Sequence, residues 1–368
     1  MKKILVTGAG GFIGGHLIKE LQNRNYLVRA VDIKPFNDWY QYSNNSENYV
    51  LDMSVKENCF KMVDGVDEVI NMACNMGGMG FIENNKALCM ESVLINTHLL
   101  QMARQEGCQR FFFSSSACVY AAGKQNLENT PGFKESDASP AMPEDGYGWE
   151  KLFSERLYLA YNRNYGMNCR IARYHNIFGP ECTWQGGKEK APAAICRKVA
   201  MVENGESIEI WGDGEQTRSF LYIDECLEGT IRLMRSDFEG PVNIGSEEMV
   251  AINELVSIVS KVAQKEINVK HIDGPLGVRG RNSDNKLIFE KLGWRPSQSL
   301  EEGVALVVES MQQMWGGEIF VPKIPTYRIS TLVEAIGPSC EIENIGVRPG
   351  EKLHEELITV NDSCTTVD

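Results

Sequence analysis

The stretch ILVTGAGGFIG, residues 4–14, decides the fold of this chain. Residues 4–7 are a short apolar run typical of a buried strand, and a helical pattern follows in residues 16–23. Glycines at every third position between them permit a tight turn, a close approach of the backbone to a pyrophosphate, and close packing of helix on strand. A strand, a glycine turn and a helix in this order predict a dinucleotide-binding unit whose helix N-terminus faces the phosphates. The residues of this turn expected to contact the cofactor are Gly8, Gly11, Phe12, Ile13 and Gly14.

The ends of the next strands carry further candidate cofactor contacts. A strand over residues 27–31 ends in Asp32, whose carboxylate can bond the adenosine ribose hydroxyls and repel a 2′-phosphate, so it favours NAD over NADP. Asp52 is a candidate adenine contact at the next strand end, although it could equally be a turn residue. Residues 69–73 form another central strand, and its end brings Ala73 to the cofactor.

Strands and helices continue to alternate along the first half of the chain. A helix is predicted over residues 84–106, a Phe-rich strand over 110–114 and another strand over 169–173. This alternation predicts an α/β fold, a doubly wound parallel Rossmann sheet with a smaller α/β substrate domain. The predicted boundaries are 1–178 with 222–237 for the NAD-binding Rossmann domain, 179–221 and 238–315 for the substrate domain, and 316–368 for a C-terminal extension.

Composition and charge exclude several classes of protein. Of the 368 residues, 43% are hydrophobic and 24% are charged, as in a soluble globular protein. The net charge of -13 argues against non-specific nucleic-acid binding, and no apolar run is long enough for a signal peptide or a membrane span. The 11 cysteines show no metal-binding spacing, so we expect reduced thiols, a cytoplasmic location and no bound metal.

Tyr147 and Lys151 lie on a segment that reads as the start of a helix. Residues four apart project from one face of a helix. An ammonium beside a phenol favours the phenolate, so we expect Lys151 to lower the pKa of Tyr147 from its usual value of about 10 and to make it a general base. A surface helix pair is the alternative. The position downstream of the glycine turn, and of a strand end that carries Ser115 and Ser116, favours the base.

Three glycine-rich loops with basic residues follow in the second half of the chain. They span residues 186–192, 211–218 and 277–282. Glycine beside a cation lets the backbone approach an anion, so these loops predict a diphosphate ligand in the smaller domain. Ordinary solvated charge is the alternative interpretation.

Residues 7–14, Ser116, and Tyr147 with Lys151 match the motifs of the extended short-chain dehydrogenase/reductase family, the nucleotide-sugar epimerases and dehydratases. The chain resembles this family over residues 1–315. The resemblance implies an NAD-dependent enzyme in which Tyr147 exchanges the proton of a sugar hydroxyl. It also implies that Lys151 holds the phenolate and the nicotinamide ribose, and that Ser116 orients the hydroxyl.

Four further segments resemble the 3,5-epimerase branch of this family, whose substrate is GDP-mannose. They are residues 75–82, 115–118, 187–194 and 277–285. The resemblance implies transient oxidation at C4, inversion at C3 and C5 by Cys118 and Lys190 as the acid–base pair, and formation of GDP-L-galactose and GDP-L-gulose. It also implies a homodimer. The implied substrate contacts are Gly77, Ser115, Ser116, Cys118, Asn176, Glu189, Lys190, Ala191, Lys198, Gln216, Thr217, Arg218, Arg279 and Arg281.

Departures from that branch leave two other functions open. Cys74 and Asn75 stand where the plant-type enzymes have Ala and Asp, and residues 317–355 resemble the tail of UDP-sugar 4,6-dehydratases. A 4,6-dehydratase is therefore the nearest alternative, but it needs an acidic residue beside the serine, where this chain has Ala117 and Cys118. A non-catalytic NAD-binding regulator is the second alternative, and the complete Ser, Tyr and Lys set argues against it.

Overall fold

The computed structural model describes residues 1–275 and 277–312 of the chain. All of these residues lie within one compact unit, Met1–Gln313. The predicted C-terminal extension, residues 316–368, lies outside the described residues. Within the described ranges, no helix is both long enough and apolar enough to cross a membrane.

Fourteen strands and eleven α-helices are present in the described part of the chain. The strands are β1 (Lys3–Thr7), β2 (Leu27–Asp32), β3 (Glu47–Val50), β4 (Glu68–Asn71), β5 (Arg110–Ser116), β6 (Cys169–Tyr174), β7 (Ile177–Phe178), β8 (Ser207–Trp211), β9 (Thr217–Ser219), β10 (Leu221–Tyr222), β11 (Val242–Ile244), β12 (Met249–Ala251), β13 (Asn268–Ile272) and β14 (Gly280–Arg281). The helices are α1 (Phe12–Asn23), α2 (Lys56–Val63), α3 (Met79–Asn84), α4 (Lys86–Met90), α5 (Ser92–Gln105), α6 (Gly146–Tyr165), α7 (Ala191–Met201), α8 (Ile223–Arg235), α9 (Ile252–Val262), α10 (Lys286–Leu292) and α11 (Leu300–Gln312).

A seven-stranded sheet forms the centre of this unit, in the order β11-β6-β5-β4-β1-β2-β3. Every neighbouring pair in it runs parallel. The chain builds β1 to β3 toward one edge and continues from β4 toward the other, so the strand order reverses between β1 and β4. Ligands of open parallel sheets bind outside the carboxyl ends of the strands at such a reversal. The predicted doubly wound parallel sheet is confirmed.

Hydrophobic cores cover both faces of this sheet, as its apolar strands require. In β1, Ile4 and Val6 belong to the core that includes side chains of α1, whereas Leu5 belongs to a second core that includes side chains of α2 and α5. All three side chains are fully buried. Each contributes about 1.5–3 kcal/mol relative to an exposed position. The alternation of β1 therefore places the sheet as the middle layer between two helical layers.

The division into a Rossmann domain and a substrate domain stays a prediction. Strand β11 belongs to the segment 238–315 that was assigned to the substrate domain, yet it pairs with β6 in the central sheet, Val242 opposite Ala172. Its three residues are too few to give a clear strand pattern in the sequence. The other strands after residue 176 form small sheets, β7 with β10, β8 with β13, and β9 between β12 and β14.

Candidate active site

The glycine turn leads directly into helix α1, which begins at Phe12 and not at the predicted residue 16. No side chain caps this helix start, and its first turn holds no acidic residue. The backbone N–H groups and the positive end of the helix dipole are therefore available to an anion. A pyrophosphate is an anion that fits such a helix N-terminus.

Two glycines of the turn have no room for a side chain. A β-carbon on Gly14 would lie 2.1 Å from the carbonyl oxygen of Gly8. Gly8 itself has a φ of +68° and faces the backbone of Met72 at the end of β4. The backbone of the turn therefore contacts both the end of β4 and the first turns of α1, and only glycine leaves room for these contacts. The predicted reasons for these glycines agree with this geometry.

Asp32 lies at the end of β2 and holds the glycine turn in place. One carboxylate oxygen accepts a hydrogen bond from the backbone N–H of Gly10 at 3.0 Å, and the other accepts one from the N–H of Lys34 at 3.0 Å. Asp52 accepts a hydrogen bond from the N–H of Ser54 at 2.8 Å, as a turn residue would. Both carboxylates also line the cleft above the sheet, so their roles as ribose and adenine contacts stay predictions.

The segment after β2 contributes aromatic residues that the sequence analysis did not single out. The hydroxyl of Tyr40 lies 2.6 Å from the hydroxyl of Thr183, within hydrogen-bonding distance, and both side chains line the cleft. The Lys34 ammonium lies 4.4 Å from the centroid of the Tyr40 ring. Trp39 lines the same wall and is buried. The aromatic cluster in residues 36–42, directly after the predicted ribose contact, was the available signal.

The cleft at the carboxyl edge of the sheet encloses about 970 Å³. It brings together predicted residues from the glycine turn, from the ends of β4, β5 and β6, from the start of α6 and from the segment before α7. The predicted site residues that line it are Gly8, Gly11, Phe12, Ile13, Gly14, Asp32, Asp52, Ala73, Gly77, Ser115, Ser116, Tyr147, Asn176 and Lys190. The predicted cofactor contacts therefore share one cleft with Ser116 and Tyr147, whereas Lys151 and Cys118 are not part of its lining in the described part of the chain.

Helix α6 presents Tyr147 in its first turn and Lys151 in its second turn. Asp145 caps the helix, because its carboxylate accepts a hydrogen bond from the N–H of Gly148 at 2.7 Å. The ammonium of Lys151 donates to the carbonyl oxygen of Ser114 at 3.0 Å and lies 5.6 Å from the centroid of the Tyr147 ring. Both side chains are buried. The predicted pairing of a phenol and an ammonium on one helix face is present.

We expected the protein surroundings of Tyr147 to lower its pKa, and this expectation is wrong. Burial raises the pKa of Tyr147 well above its usual value, and the nearby thiols of Cys74 and Cys118 raise it further. The carboxylate of Glu150 acts in the same direction, whereas a hydrogen bond with Ser116 lowers the pKa. Desolvation disfavours a buried phenolate, and the sequence alone does not report how deeply the ring is buried.

Cys118 lies in a short 3₁₀ turn, Ala117–Val119, that follows β5 directly. Its backbone N–H donates to the hydroxyl oxygen of Ser116 at 3.2 Å, which places the two residues side by side. Its sulfur accepts a hydrogen bond from a guanidinium nitrogen of Arg281 at 3.3 Å. Arg281 also donates to the side-chain oxygen of Gln125 at 2.6 Å. The arginine that was predicted to hold the diphosphate therefore contacts the predicted acid–base cysteine.

Lys190 is the residue immediately before α7. Burial lowers its pKa, and the thiols of Cys118 and Cys74 oppose that effect. Lys190 and Cys74 line the same cleft as Tyr147, and Cys74 and Cys118 pack in the apolar cluster that contains the Tyr147 ring. A lysine whose ammonium is destabilised by burial gives up its proton more readily than a solvated lysine.

Arg218 lies next to Arg281. Burial lowers the pKa of the Arg218 guanidinium, and the charge of Arg281 lowers it further. Arg218 donates to the carbonyl oxygens of Thr217 at 2.7 Å and Val278 at 2.6 Å. The two guanidinium groups repel each other, the nearby Glu144 carboxyl offsets part of that repulsion, and a bound anion would offset more of it.

In the described part of the chain, the other predicted substrate residues are not part of the cleft lining. They lie around the smaller sheets, or within or just before α7. Arg279 forms ion pairs with Asp213, at 2.8 Å, and with Glu128, so it links three loops. Both partners hold its guanidinium, which weakens the prediction that it binds a diphosphate. The remaining predicted contacts are Glu189, which pairs with Arg197 at 3.7 Å, Ala191 at the start of α7, Lys198 on α7, Gln216 before β9 and Thr217 in β9.

Comparisons with known proteins agree with this geometry. A family model described as the NAD dependent epimerase/dehydratase family matches residues 4–245. A second model, described as polysaccharide biosynthesis protein, matches residues 294–368. GDP-mannose 3,5-epimerase of Arabidopsis thaliana is 49% identical over 305 residues, which cover 83% of this chain and 80% of that protein.

Solved structures share the fold over most of the chain. The UDP-glucose 4-epimerase of Thermotoga maritima, crystallised with UDP-glucose, matches with a TM-score of 0.76 and 25% identity, covering 85% of this chain and 100% of that one. MoeE5 in complex with UDP-glucuronic acid and NAD matches with a TM-score of 0.71 and 26% identity, covering 84% of this chain and 99% of that one. The cleft described above therefore occurs in a fold whose solved examples bind nucleotide sugars and NAD.

Proposed function

Because the chain belongs to the NAD dependent epimerase/dehydratase family, we propose that it is an epimerase that inverts the hexose of GDP-mannose at C3 and C5. One observation supports this proposal above the others. Ser116, Tyr147 and Lys190 line the same cleft as the glycine turn, and Cys118 lies beside Ser116. This arrangement supports a redox pair and an acid–base pair at one place.

The glycine turn fits NAD, the cofactor of this family. The N-terminus of α1 has no side-chain cap, so its backbone N–H groups can bind a pyrophosphate. Gly8 and Gly14 have no side chains that would keep the pyrophosphate from the backbone. When bound, NAD supplies hydride chemistry at C4 of the sugar, accepting a hydride and returning it. Asp32 would bond the adenosine ribose, and its carboxylate disfavours a 2′-phosphate.

Tyr147 exchanges the proton of the C4 hydroxyl in the proposed mechanism. Burial of Tyr147 opposes the phenolate, so the phenolate needs cations nearby, and the ammonium of Lys151, 5.6 Å from the ring centroid, is one of them. A tyrosine whose basicity is set by opposing effects can take the proton during oxidation and return it during reduction. Ser116 would hold the hydroxyl through its own hydrogen bond.

Cys118 and Lys190 are the proposed acid–base pair for inversion. A keto group at C4 makes the hydrogens on C3 and C5 acidic, and inversion then requires proton removal on one face and proton return on the other. The contact of Arg281 fixes the sulfur of Cys118 in place. The lowered pKa of Lys190 suits a group that must give its proton to carbon near neutral pH.

The diphosphate of the substrate would lie between Arg218 and Arg281. Their mutual repulsion is relieved by a dianion, and their guanidinium groups suit bidentate contacts to phosphate oxygens. A 4,6-dehydratase is disfavoured because Ala117 and Cys118 offer no carboxyl beside Ser116. A non-catalytic regulator would need neither Tyr147 nor the thiol.

Product analysis in deuterium oxide tests this function. We expect GDP-mannose to give product with solvent deuterium at C5 and at C3, because the returning proton comes from an acid that exchanges with solvent. Hydrogen at C4 should remain protium. The variant Cys118→Ala is the control and should not incorporate deuterium into product. A methyl signal from a 6-deoxy-4-keto sugar, or product without deuterium at C5, contradicts the proposal.

We also propose a homodimer that forms through α6. Trp149 and Phe153 are large apolar side chains four residues apart on this helix, and both are exposed. Contiguous exposed apolar surface commonly marks a protein interface. Sedimentation should give twice the monomer mass, and Phe153→Glu should shift it to the monomer. A monomeric wild-type protein would contradict the dimer.

We further propose a cytoplasmic location. The nine cysteines in the described part of the chain are all free thiols, as expected in a reducing compartment. Cell fractionation followed by thiol labelling tests this, and disulfide-linked protein in an oxidising fraction would contradict it.

A further inference from the structure

Glu150 is a buried carboxyl that the proposed mechanism does not use. It precedes Lys151 and follows Tyr147 by three residues in α6, and it is 3% exposed. One of its oxygens accepts hydrogen bonds from the Asn96 amide and the Ser154 hydroxyl, both at 2.7 Å. The other oxygen is buried and has no hydrogen-bond partner among the described residues. Burial of a carboxyl oxygen without a hydrogen bond lowers the stability of the fold, so we expect Glu150 to have a function that offsets this cost.

Side chains connect this carboxyl to the cofactor turn. The amide oxygen of Asn96 accepts hydrogen bonds from Asn71 at 2.8 Å and from the hydroxyl of Tyr158 at 3.1 Å. The amide oxygen of Asn71 accepts one from the hydroxyl of Thr7 at 2.6 Å. Thr7 ends β1 directly before the glycine turn. All of these side chains are buried, so the network ties the start of α6 to the turn through protein alone.

The charged and titratable groups around Tyr147 come from five segments of the chain. Cys74 follows β4, Cys89 lies on α4, Cys118 follows β5 beside Ser116, Lys151 and Glu150 lie on α6, and Lys190 precedes α7. Lys151 and Lys190 are the cations in this set. Burial, the two nearest thiols and the Glu150 carboxylate all oppose the phenolate.

The redox step requires Tyr147 to take a proton and to give it back. The Lys151 ammonium and a cationic nicotinamide favour the phenolate, whereas burial and nearby negative charge favour the phenol, so the balance between them sets how readily the proton is taken and returned. We propose that Glu150 is a positioning residue of this step, because it ties the start of α6 to the end of β1 and places a negative charge beside Tyr147 to oppose that of Lys151. The proposal rests on the proposed function, since it needs Tyr147 to exchange the C4 hydroxyl proton.

The experiment isolates the oxidation half-reaction. In a Cys118→Ala parent, inversion should stop, so substrate should reduce the bound NAD and the fraction of NADH can be followed by its absorbance as pH is varied. Replacing Glu150 by Gln removes the charge and keeps an oxygen that can accept the hydrogen bonds. Loss of a negative charge favours the phenolate, so NADH should form at lower pH. We expect the midpoint to fall by at least about one unit, because one charge within about 12 Å is worth that much or more at an effective dielectric constant of about 20.

Ser154→Ala in the same parent is the matched control. It removes one hydrogen bond to the same Glu150 oxygen but keeps the carboxylate, so its midpoint should stay where the parent has it. A merely structural role would move both variants alike or neither. Glu150→Met, which also lacks the charge, serves as a second variant and should shift the midpoint in the same direction.

The outcomes separate this proposal from the proposed function. A parent that forms no NADH at any pH overturns both. A parent that forms NADH, with an unchanged or higher midpoint in Glu150→Gln, overturns the role of Glu150 alone. Loss of NAD binding or folding in both uncharged variants, while Ser154→Ala keeps both properties, shows that the carboxyl serves folding and also overturns the proposal.

Discussion

Replacement of Gly148 by alanine tests how closely α6 must approach the turn that carries Cys118. A β-carbon at this position would lie 2.3 Å from the carbonyl oxygen of Cys118 and 2.9 Å from the side chain of Pro143. Ordinary contacts begin at 3.4 Å, so the helix start and the turn must separate by about 1 Å. The atom that is met belongs to the backbone, so no side-chain rotation can relieve the contact.

Two opposing effects decide the outcome for stability. Alanine is favoured over glycine inside a helix by about 1 kcal/mol, because glycine loses more backbone entropy on folding. Overpacking at a close contact costs about 1–3 kcal/mol. The net change in unfolding free energy should therefore lie between zero and about 2 kcal/mol of destabilisation, which leaves the enzyme folded. Catalysis should suffer more, because a displacement of about 1 Å between reacting groups lowers rates about 100-fold.

The assay compares kcat for epimerisation of GDP-mannose with NAD content and thermal unfolding of the same preparation. Gly123→Ala is the matched control, because a β-carbon there meets nothing within 4 Å. We expect wild-type kcat for the control and about a 100-fold loss for Gly148→Ala with NAD still bound. A folded Gly148→Ala enzyme with wild-type kcat would refute the argument that this approach sets the alignment of Tyr147 with Cys118.

The remaining predictions concern the base, the basic residues, one buried histidine and the extension. Tyr147→Phe should keep NAD and lose at least about 100-fold in activity, and near-normal turnover would exclude the base. Arg281→Ala should weaken binding of the sugar nucleotide in calorimetry far more than Arg279→Ala, whose guanidinium is held by carboxylates; equal losses would point to a structural role for both. Burial lowers the pKa of His175 to about 3, below about 6.5 in the unfolded chain, so its contribution is present above pH 6.5 and is lost as pH falls from there toward 3. Unfolding by urea should show the advantage of wild type over His175→Gln shrinking by about 1.4 kcal/mol per unit below pH 6.5, and a constant difference would contradict this. Deletion of residues 316–368 should leave NAD binding intact, and lost NAD binding would show that the extension completes the fold.

The parts of the fold that local sequence patterns encode could be predicted. The glycine turn needs a strand before it and a helix after it, and all three are adjacent in the chain. The same holds for the strand end with Ser116 and for the helix start with Tyr147, which the parallel sheet brings to one edge. Strand β11 was assigned elsewhere because three residues carry too little pattern to be recognised.

Other features of the site depend on contacts between distant parts of the chain. The hydrogen bond from Arg281 to Cys118 joins residues 163 positions apart, so no spacing rule reports it. The raised pKa of Tyr147 follows from burial by surrounding elements and not from the lysine four residues later. Arg279 and Arg281 look alike in sequence, yet one is tied to Asp213 and Glu128 and the other points to a thiol.

The hydrogen bond between Tyr40 and Thr183 bears on how the enzyme is supplied with its cofactor. It joins the segment after β2 to the segment before α7, and both side chains line the cleft. A dinucleotide bound between these two segments would have to open that bond to leave, whereas the proposed epimerisation would return the nicotinamide to its oxidised form at the end of each cycle. One loading event would then serve a molecule for its lifetime. The reaction rate would then depend on the number of enzyme molecules that hold the dinucleotide. It would not depend on the cellular ratio of oxidised to reduced nicotinamide.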